Sequence, residues 1–416
     1  MGTISKDLSE TIHRIAFKEI SPGKPSTQYQ SDPLLARLKE LGTELWMDTG
    51  ELELAQSIWK NELTALTTNN TLANQVVQSG VMDDVIQETI DKLGESASGL
   101  TREELVMEIG FVINCRIALR LVEAFKVKVS VELHPSISCD IEKSVEYGKR
   151  YFRICPEYFI IKVPLTPEGL LATRKIRQEN IPVNFTLGFS ARQNYLAARL
   201  SNPDYVNVFL GRLNAVVSDN SAGSGEWVGE KVTLHTQSAL EEVRNNHADV
   251  ETRLIAASIR NGDQVETLAG MDIHTIPPKA MKEFQDSGRT PEQINKTDGT
   301  TLNPNVDSAH DWSVRVANLW NMDGEFRKAV DQLMVRSDLD QLSGEGLVQF
   351  CKENGLDLFH PFSQQDLKKI QDDGKIPKLA DWSDTIALDD LMTHSALQSF
   401  TKDQNALDAR IESFLK

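Results

Sequence analysis

The stretch Lys128–Phe189 reads KVSVELHPSISCDIEKSVEYGKRYFRICPEYFIIKVPLTPEGLLATRKIRQENIPVNFTLGF. Three short apolar runs stand out in it: KVSVEL (128–133), YFIIKVP (158–164) and VNFTLGF (183–189). Each is rich in Val, Ile, Leu and Phe, the composition of strands buried on both faces. Helix signals lie between them. Thr166-Pro167 is an N-cap followed by proline at the first helical position. Strand, helix and strand in succession predict a parallel sheet.

The same alternation continues outward in both directions. ELWMD (44–48) and ELTALTT (62–68) precede the central stretch; YVNVFLG (205–211), RLIAAS (253–258) and DIHTIP (272–277) follow it. Thr101-x-x-Glu104 is a capping box opening a helix with Leu105, Ile109, Val112, Ile113, Ile117 and Leu121 at helical spacing. Ser190-x-x-Gln193 is a second box, stopped at Asn202-Pro203. Eight strand runs predict closure into a (β/α)8 TIM barrel, with a doubly wound open sheet as the alternative.

Residues 1–30 are polar, contain Pro22, Gly23 and Pro25, and are expected to form an N-terminal arm. Residues 31–290 form the expected barrel domain. Residues 291–416 are expected to be a loop and then a mainly helical C-terminal extension packed on the barrel. Its helices read as VRVANLW, FRKAVDQLMV, GLVQFC and NALDARIESFL. Covering the barrel mouth and forming a homo-oligomer contact are both open roles for it. The Gly- and Ser-rich stretch SDNSAGSGEW (218–227) favours a mobile active-site loop over a plain linker.

The chain has 416 residues, with 44 Lys plus Arg against 61 Asp plus Glu, a net charge of −17. That balance argues against a general electrostatic grip on nucleic acid or an anionic membrane, while leaving room for a local phosphate site. No stretch reaches the ~18 apolar residues of a membrane helix, and the N-terminus lacks a signal-peptide core. Four scattered cysteines without CxxC spacing fit thiols in a reducing cytosol, so a cytoplasmic location is expected. No zinc-type cluster is visible, and neither metal nor cofactor is expected.

Polar residues occur where a barrel strand should be apolar. Alternate residues of a strand share a face. On that basis Trp46 pairs with Asp48, Thr67 with Asn69, Glu132 with His134, Asn184 with Thr186, Asn207 with Phe209, and Ser258 with Arg260. Lys162 lies inside FIIKVP. If these faces point inward, the C-terminal mouth is polar, which is where barrel active sites are built. Lys162 has Ile160, Ile161, Val163 and Pro164 around it. A lysine so placed costs several kcal/mol if charged and unpaired, which favours the neutral amine that a Schiff-base nucleophile needs. A static ion pair with Glu132 or Asp48 is the equal alternative. His134 is expected only to orient a neighbour.

At these residues the chain resembles the transaldolase family. The segment VSVELHPSISCDIEKSVEYGKRYFRICPEYFIIKVPLTPEGLLATRKIRQENIPVNFTLGFSARQ (129–193) is similar to the family's central stretch. There a strand ending in glutamate precedes the lysine strand, and an asparagine-threonine strand follows. LTTNNTLANQ (66–75) resembles the "TTNPS" signature, FLGRL (209–213) the strand-six motif, and LIAASIRNGDQVETLAGMDIHTIPP (254–278) the last two strands. The resemblance runs from Leu45 to Phe284, with a weaker echo at SALQSFTKDQNALDARIESFL (395–415).

The resemblance implies sugar phosphate substrates and a place in the pentose phosphate pathway. It implies a Schiff base on Lys162, with Asp48 as the acid/base of carbon–carbon cleavage. Glu132 and Thr186 would hold a proton-shuttling water. Asn69 and Asn184 would bind the dihydroxyacetone unit, with Asn207 and Phe209 beside it. Arg212, Ser258 and Arg260 would bind the phosphate. The implied reaction transfers dihydroxyacetone from fructose 6-phosphate or sedoheptulose 7-phosphate to an aldose phosphate. The alternatives are a free fructose-6-phosphate aldolase and an inactive binding or scaffold protein. Three departures stand out: Asn70 replaces the usual proline, Asn207 the expected serine, and Ala65-Leu66 the residues before "TTN". Phe209 matches the transferases rather than the aldolases, which usually carry tyrosine there.

Overall fold

In the computed structural model, which describes residues 5–25 and 27–415, the eight strand runs close into one parallel barrel in the order of the chain. The strands are β1 Glu44–Asp48, β2 Leu63–Thr67, β3 Lys128–Glu132, β4 Phe159–Pro164, β5 Val183–Thr186, β6 Tyr205–Phe209, β7 Arg253–Ala257 and β8 Ile273–Ile276. β1 pairs with β8 and closes the ring, excluding the open sheet.

Helices cover the outside, and their starts follow the local chemistry. The Thr101 capping box is complete: its hydroxyl accepts from Glu104 N and its own N–H donates to the Glu104 carboxylate. Thr166 Oγ1 accepts from Gly169 N and donates to Ser138 O at 2.6 Å. Gly169 is needed there, because a Cβ would stand 2.1 Å from Pro164 O. That contact seats the helix Pro167–Arg177 directly on the end of β4. The second box differs from expectation in one bond: Gln193 Oε1 accepts from Phe189 N at 2.9 Å.

The bottom of the barrel is polar as well. Glu44 accepts from Trp46 Nε1 at 2.8 Å and Thr64 Oγ1 at 2.9 Å and pairs with Arg253 at 2.6 Å. Buried Trp46 packs edge-on against Tyr205, with ring centroids 4.9 Å apart. These contacts fill the lower end, and a cavity lies at the opposite, C-terminal mouth.

The stretch read as an arm carries a helix, Lys6–Ala16; residues 1–4 and 26 lie outside the described residues. Leu8, Ile12, Ile15 and Ala16 recur at helical spacing and are buried, packed on the long helix Arg102–Phe125. Arg116 of that helix donates to Ile15 O at 3.2 Å. The polar composition hid a narrow apolar stripe.

The Gly- and Ser-rich stretch does not line the cavity at the barrel mouth. Its backbone is laced to residues 305–307: Gly225 N donates to Asn305 O, Asn305 N to Glu226 O, and Asp307 N to Ala222 O, at 2.7–3.1 Å. Ala222 is fully buried. The missing signal was the partner strand of chain, some eighty residues away.

After residue 311 the chain forms the helices Ser313–Ala317, Gly324–Met334, Gly344–Glu353, Gln364–Asp373 and Leu388–Glu412. The last lies across the C-terminal end of the barrel, packed against the helix Asn70–Gln78. Of the two open roles, covering the mouth is the one this placement shows. Asn70, in place of the usual proline, donates to Gln404 Oε1 of that helix at 3.0 Å. No described helix is long and apolar enough to cross a membrane.

Candidate active site

The mouth holds a cavity of about 230 Å³. Nine residues singled out from sequence line it: Asp48, Lys162, Asn69, Asn184, Asn207, Phe209, Arg212, Ser258 and Arg260. Glu132 and Thr186 stand just behind the wall, 4% and 0% exposed. The alternation of strand faces brings the eleven together from seven strands and their following turns.

Register explains the centre. Glu132 of β3 is level with Lys162 of β4, which is level with Asn184 of β5. Lys162 Nζ therefore sits 3.2 Å from Glu132 Oε2 and donates to Thr68 O at 3.0 Å. The lysine is 3% exposed. Burial pushes the Glu132 pKa up to about 7, against the pull of the Lys162 charge. The ion pair with Glu132 is therefore present, and the lysine still borders the cavity.

Asp48 ends β1 on the opposite wall. Its surroundings raise its pKa by desolvation, opposed by Lys162 and by the Thr67 hydroxyl. Thr67 donates to Asp48 Oδ1 at 2.6 Å and contacts Thr275 Oγ1 at 2.6 Å. With the Thr67 proton directed at Asp48, Thr275 is the donor of the second bond. Asn184 Nδ2 donates to Ser130 Oγ at 3.1 Å, while its Oδ1 and Thr186 Oγ1 are buried without a partner among the described residues. Asn69 Oδ1 caps the helix Asn70–Gln78 by accepting from Leu72 N, which leaves its NH2 for a ligand. Asn207 Oδ1 accepts from Gly188 N at 3.3 Å, fixing the side chain that replaces serine.

Cations gather at the other end. Burial and the neighbouring Arg260 push the Arg212 pKa down to about 10, with Asp403 opposing. Arg260 stands at the exposed rim, its pKa also lowered by partial desolvation. Gly211 makes room for it, since a Cβ there would fall 2.6 Å from Arg260 Cγ. Ser258 adopts φ 61°, a left-handed conformation unusual for serine, at the turn out of β7. His134 faces away from the cavity: Nδ1 bonds Ser136 and Nε2 lies 3.3 Å from Asp408 of the C-terminal helix.

Sequence reasoning missed several lining residues, among them Thr275 of β8 and, from the C-terminal extension, Lys375 and Phe400. Phe400 lies 5.8 Å from the Arg212 guanidinium carbon and 6.4 Å from the Phe209 ring. It falls within the weak echo at 395–415, which is the signal available for it. Lys375 carries no local signal at all.

A family model described as transaldolase/fructose-6-phosphate aldolase matches residues 45–332. The match runs past Phe284, where the recognisable motifs end. Among curated proteins, the chain is 36% identical to a probable transaldolase of Exiguobacterium sibiricum, over 41% of this chain and 71% of that one. It is 34% identical to one from Oceanobacillus iheyensis, over 53% and 94%, and 33% identical to one from Thermus thermophilus, over 58% and 90%. The chain belongs to the transaldolase/fructose-6-phosphate aldolase family.

Proposed function

We propose that this member of the family transfers a dihydroxyacetone unit from a ketose phosphate, such as fructose 6-phosphate or sedoheptulose 7-phosphate, to an aldose phosphate through a Schiff base on Lys162. One observation carries the reading: a single cavity joins a buried amine, a carboxylate across from it and a pair of guanidiniums.

The Lys162 amine adds to the ketose carbonyl, and water leaves to give an imine. Glu132, with a pKa of about 7, both gives and takes a proton near neutrality, as carbinolamine formation and dehydration require. The unpartnered Thr186 Oγ1 beside it suits a water that carries those protons. Asp48 then removes the proton of the C4 hydroxyl, and the C3–C4 bond breaks. Its electron pair passes into the imine as an enamine, and the aldose phosphate leaves. The enamine carbon attacks an incoming aldehyde, Asp48 returns its proton to the new hydroxyl, and water hydrolyses the imine to free the product and the Lys162 amine. Asn69, Asn184 and Asn207 bind the hydroxyls of the retained unit. Arg212, Ser258 and Arg260 hold the phosphate. Phe209, the residue that resembles the transferases rather than the free aldolases, supports transfer over release.

Borohydride trapping tests the reading. With fructose 6-phosphate present, reduction should fix a three-carbon adduct on Lys162, located by peptide mass mapping. Absence of an adduct at saturating ketose phosphate would leave the scaffold alternative standing. Cleavage of the ketose without any added aldose would establish the free aldolase instead.

A further inference from the structure

The segment Gly374–Lys378, between the last two helices, crosses the rim of the cavity and is pinned from both sides. Ser395 Oγ donates to Gly374 O at 3.1 Å, and Asn220 Nδ2 to Pro377 O at 3.0 Å. Leu379 N donates back to Asn220 Oδ1 at 2.7 Å. Arg212 donates to the backbone carbonyl of Lys375 at 3.2 Å, and Lys375 is among the residues lining the cavity. Its ammonium has no ion pair among the described residues, and neither do Arg212 and Arg260. Three cations without an ion pair line one cavity in a chain of net charge −17, and two of them, Arg212 and Arg260, repel each other, which favours an anion there.

We propose that Lys375 is a substrate-specificity residue, the third cation of the phosphate-binding end, supplied by a segment outside the family-matched region. This rests on the transfer reading above. A dianionic phosphate suits three point charges better than a carboxylate or a neutral sugar, so Lys375 discriminates phosphorylated from unphosphorylated substrates. Being exposed, the side chain is replaceable without disturbing the fold.

The test compares wild type with Lys375→Gln and Lys375→Arg. In Lys375→Gln, KM for fructose 6-phosphate should rise about tenfold while kcat stays within about twofold, because the lost contact is common to ground and transition states. The inhibition constant for inorganic phosphate should rise by a similar factor, about tenfold, and KM for unphosphorylated fructose should not move. Lys375→Arg should restore most of the affinity. Unchanged phosphate affinity in Lys375→Gln would overturn the proposal, as would equal loss for both sugars. Calorimetric titration of inorganic phosphate reads the same site without turnover, so it still decides the role of Lys375 if trapping on Lys162 fails.

Discussion

The barrel and the C-terminal extension meet at one cavity but contribute different things to it. From the barrel come the groups proposed to make and break bonds, Lys162, Glu132 and Asp48, together with the hydrogen-bonded Thr67 and Thr275, all held by strand register. From the extension come a ring, Phe400, and a cation, Lys375, held by side-chain bonds to turns and helices. Rigid backbone pairing holds the chemistry, and a layer added over it shapes the ligand. Substitutions in the barrel centre should therefore strike kcat, and substitutions in the extension should strike affinity or stability.

Lys162→Ala is the strongest test. Activity should fall on the order of 10⁴-fold or more, as when other enzymes lose a nucleophile, with the fold retained by circular dichroism. A comparable fall from any extension variant would break the division. Arg260→Ala comes next, at the barrel rim. KM for phosphorylated substrate should rise roughly ten- to a hundredfold, the range for a charged hydrogen bond, with kcat little changed. A large fall in kcat at constant KM would move Arg260 into the reacting groups.

Gln404→Ala probes the seam itself. It strips the partner from the buried Asn70 amide, a loss of about 1–3 kcal/mol, measured by denaturant unfolding. Steady-state kcat should be preserved. The smallest effect is a slope with pH, confined to the barrel. His274 is fully buried on β8, donates from Nε2 to Leu268 O at 2.8 Å, and has its pKa pushed down to about 4 from 6.5 by burial. The folded state resists that proton. Its contribution to stability is full above pH 6.5 and is lost as pH falls through about 4. His274→Gln should flatten the decline of Tm between those values, and an unchanged slope would show that other groups set it.

The barrel was legible because strands buried on both faces leave unmistakable runs, and because polar residues inside such runs violate the pattern at the site. ELWMD, FIIKVP and RLIAAS each map onto an observed strand. The first half of the C-terminal helix was illegible for the opposite reason. It buries Asp389, Asp390, Thr393, Ser395 and Ser399 along with Leu391 and Phe400, so no apolar stripe marks it. Asp389 earns its place only through Ser190 and Arg192, which approach within 2.6 and 3.1 Å from two hundred residues away. The same holds for Lys375, whose position depends on Asn220 and Arg212. Lone polar residues acquire meaning from partners that one-dimensional spacing cannot supply.

The lacing of residues 222–226 to 305–307 has a mechanical outcome. The extension leaves the barrel at that seam and returns over the mouth, so it is fastened at its root as well as at its tip. It cannot swing away as a hinged flap without unzipping one attachment.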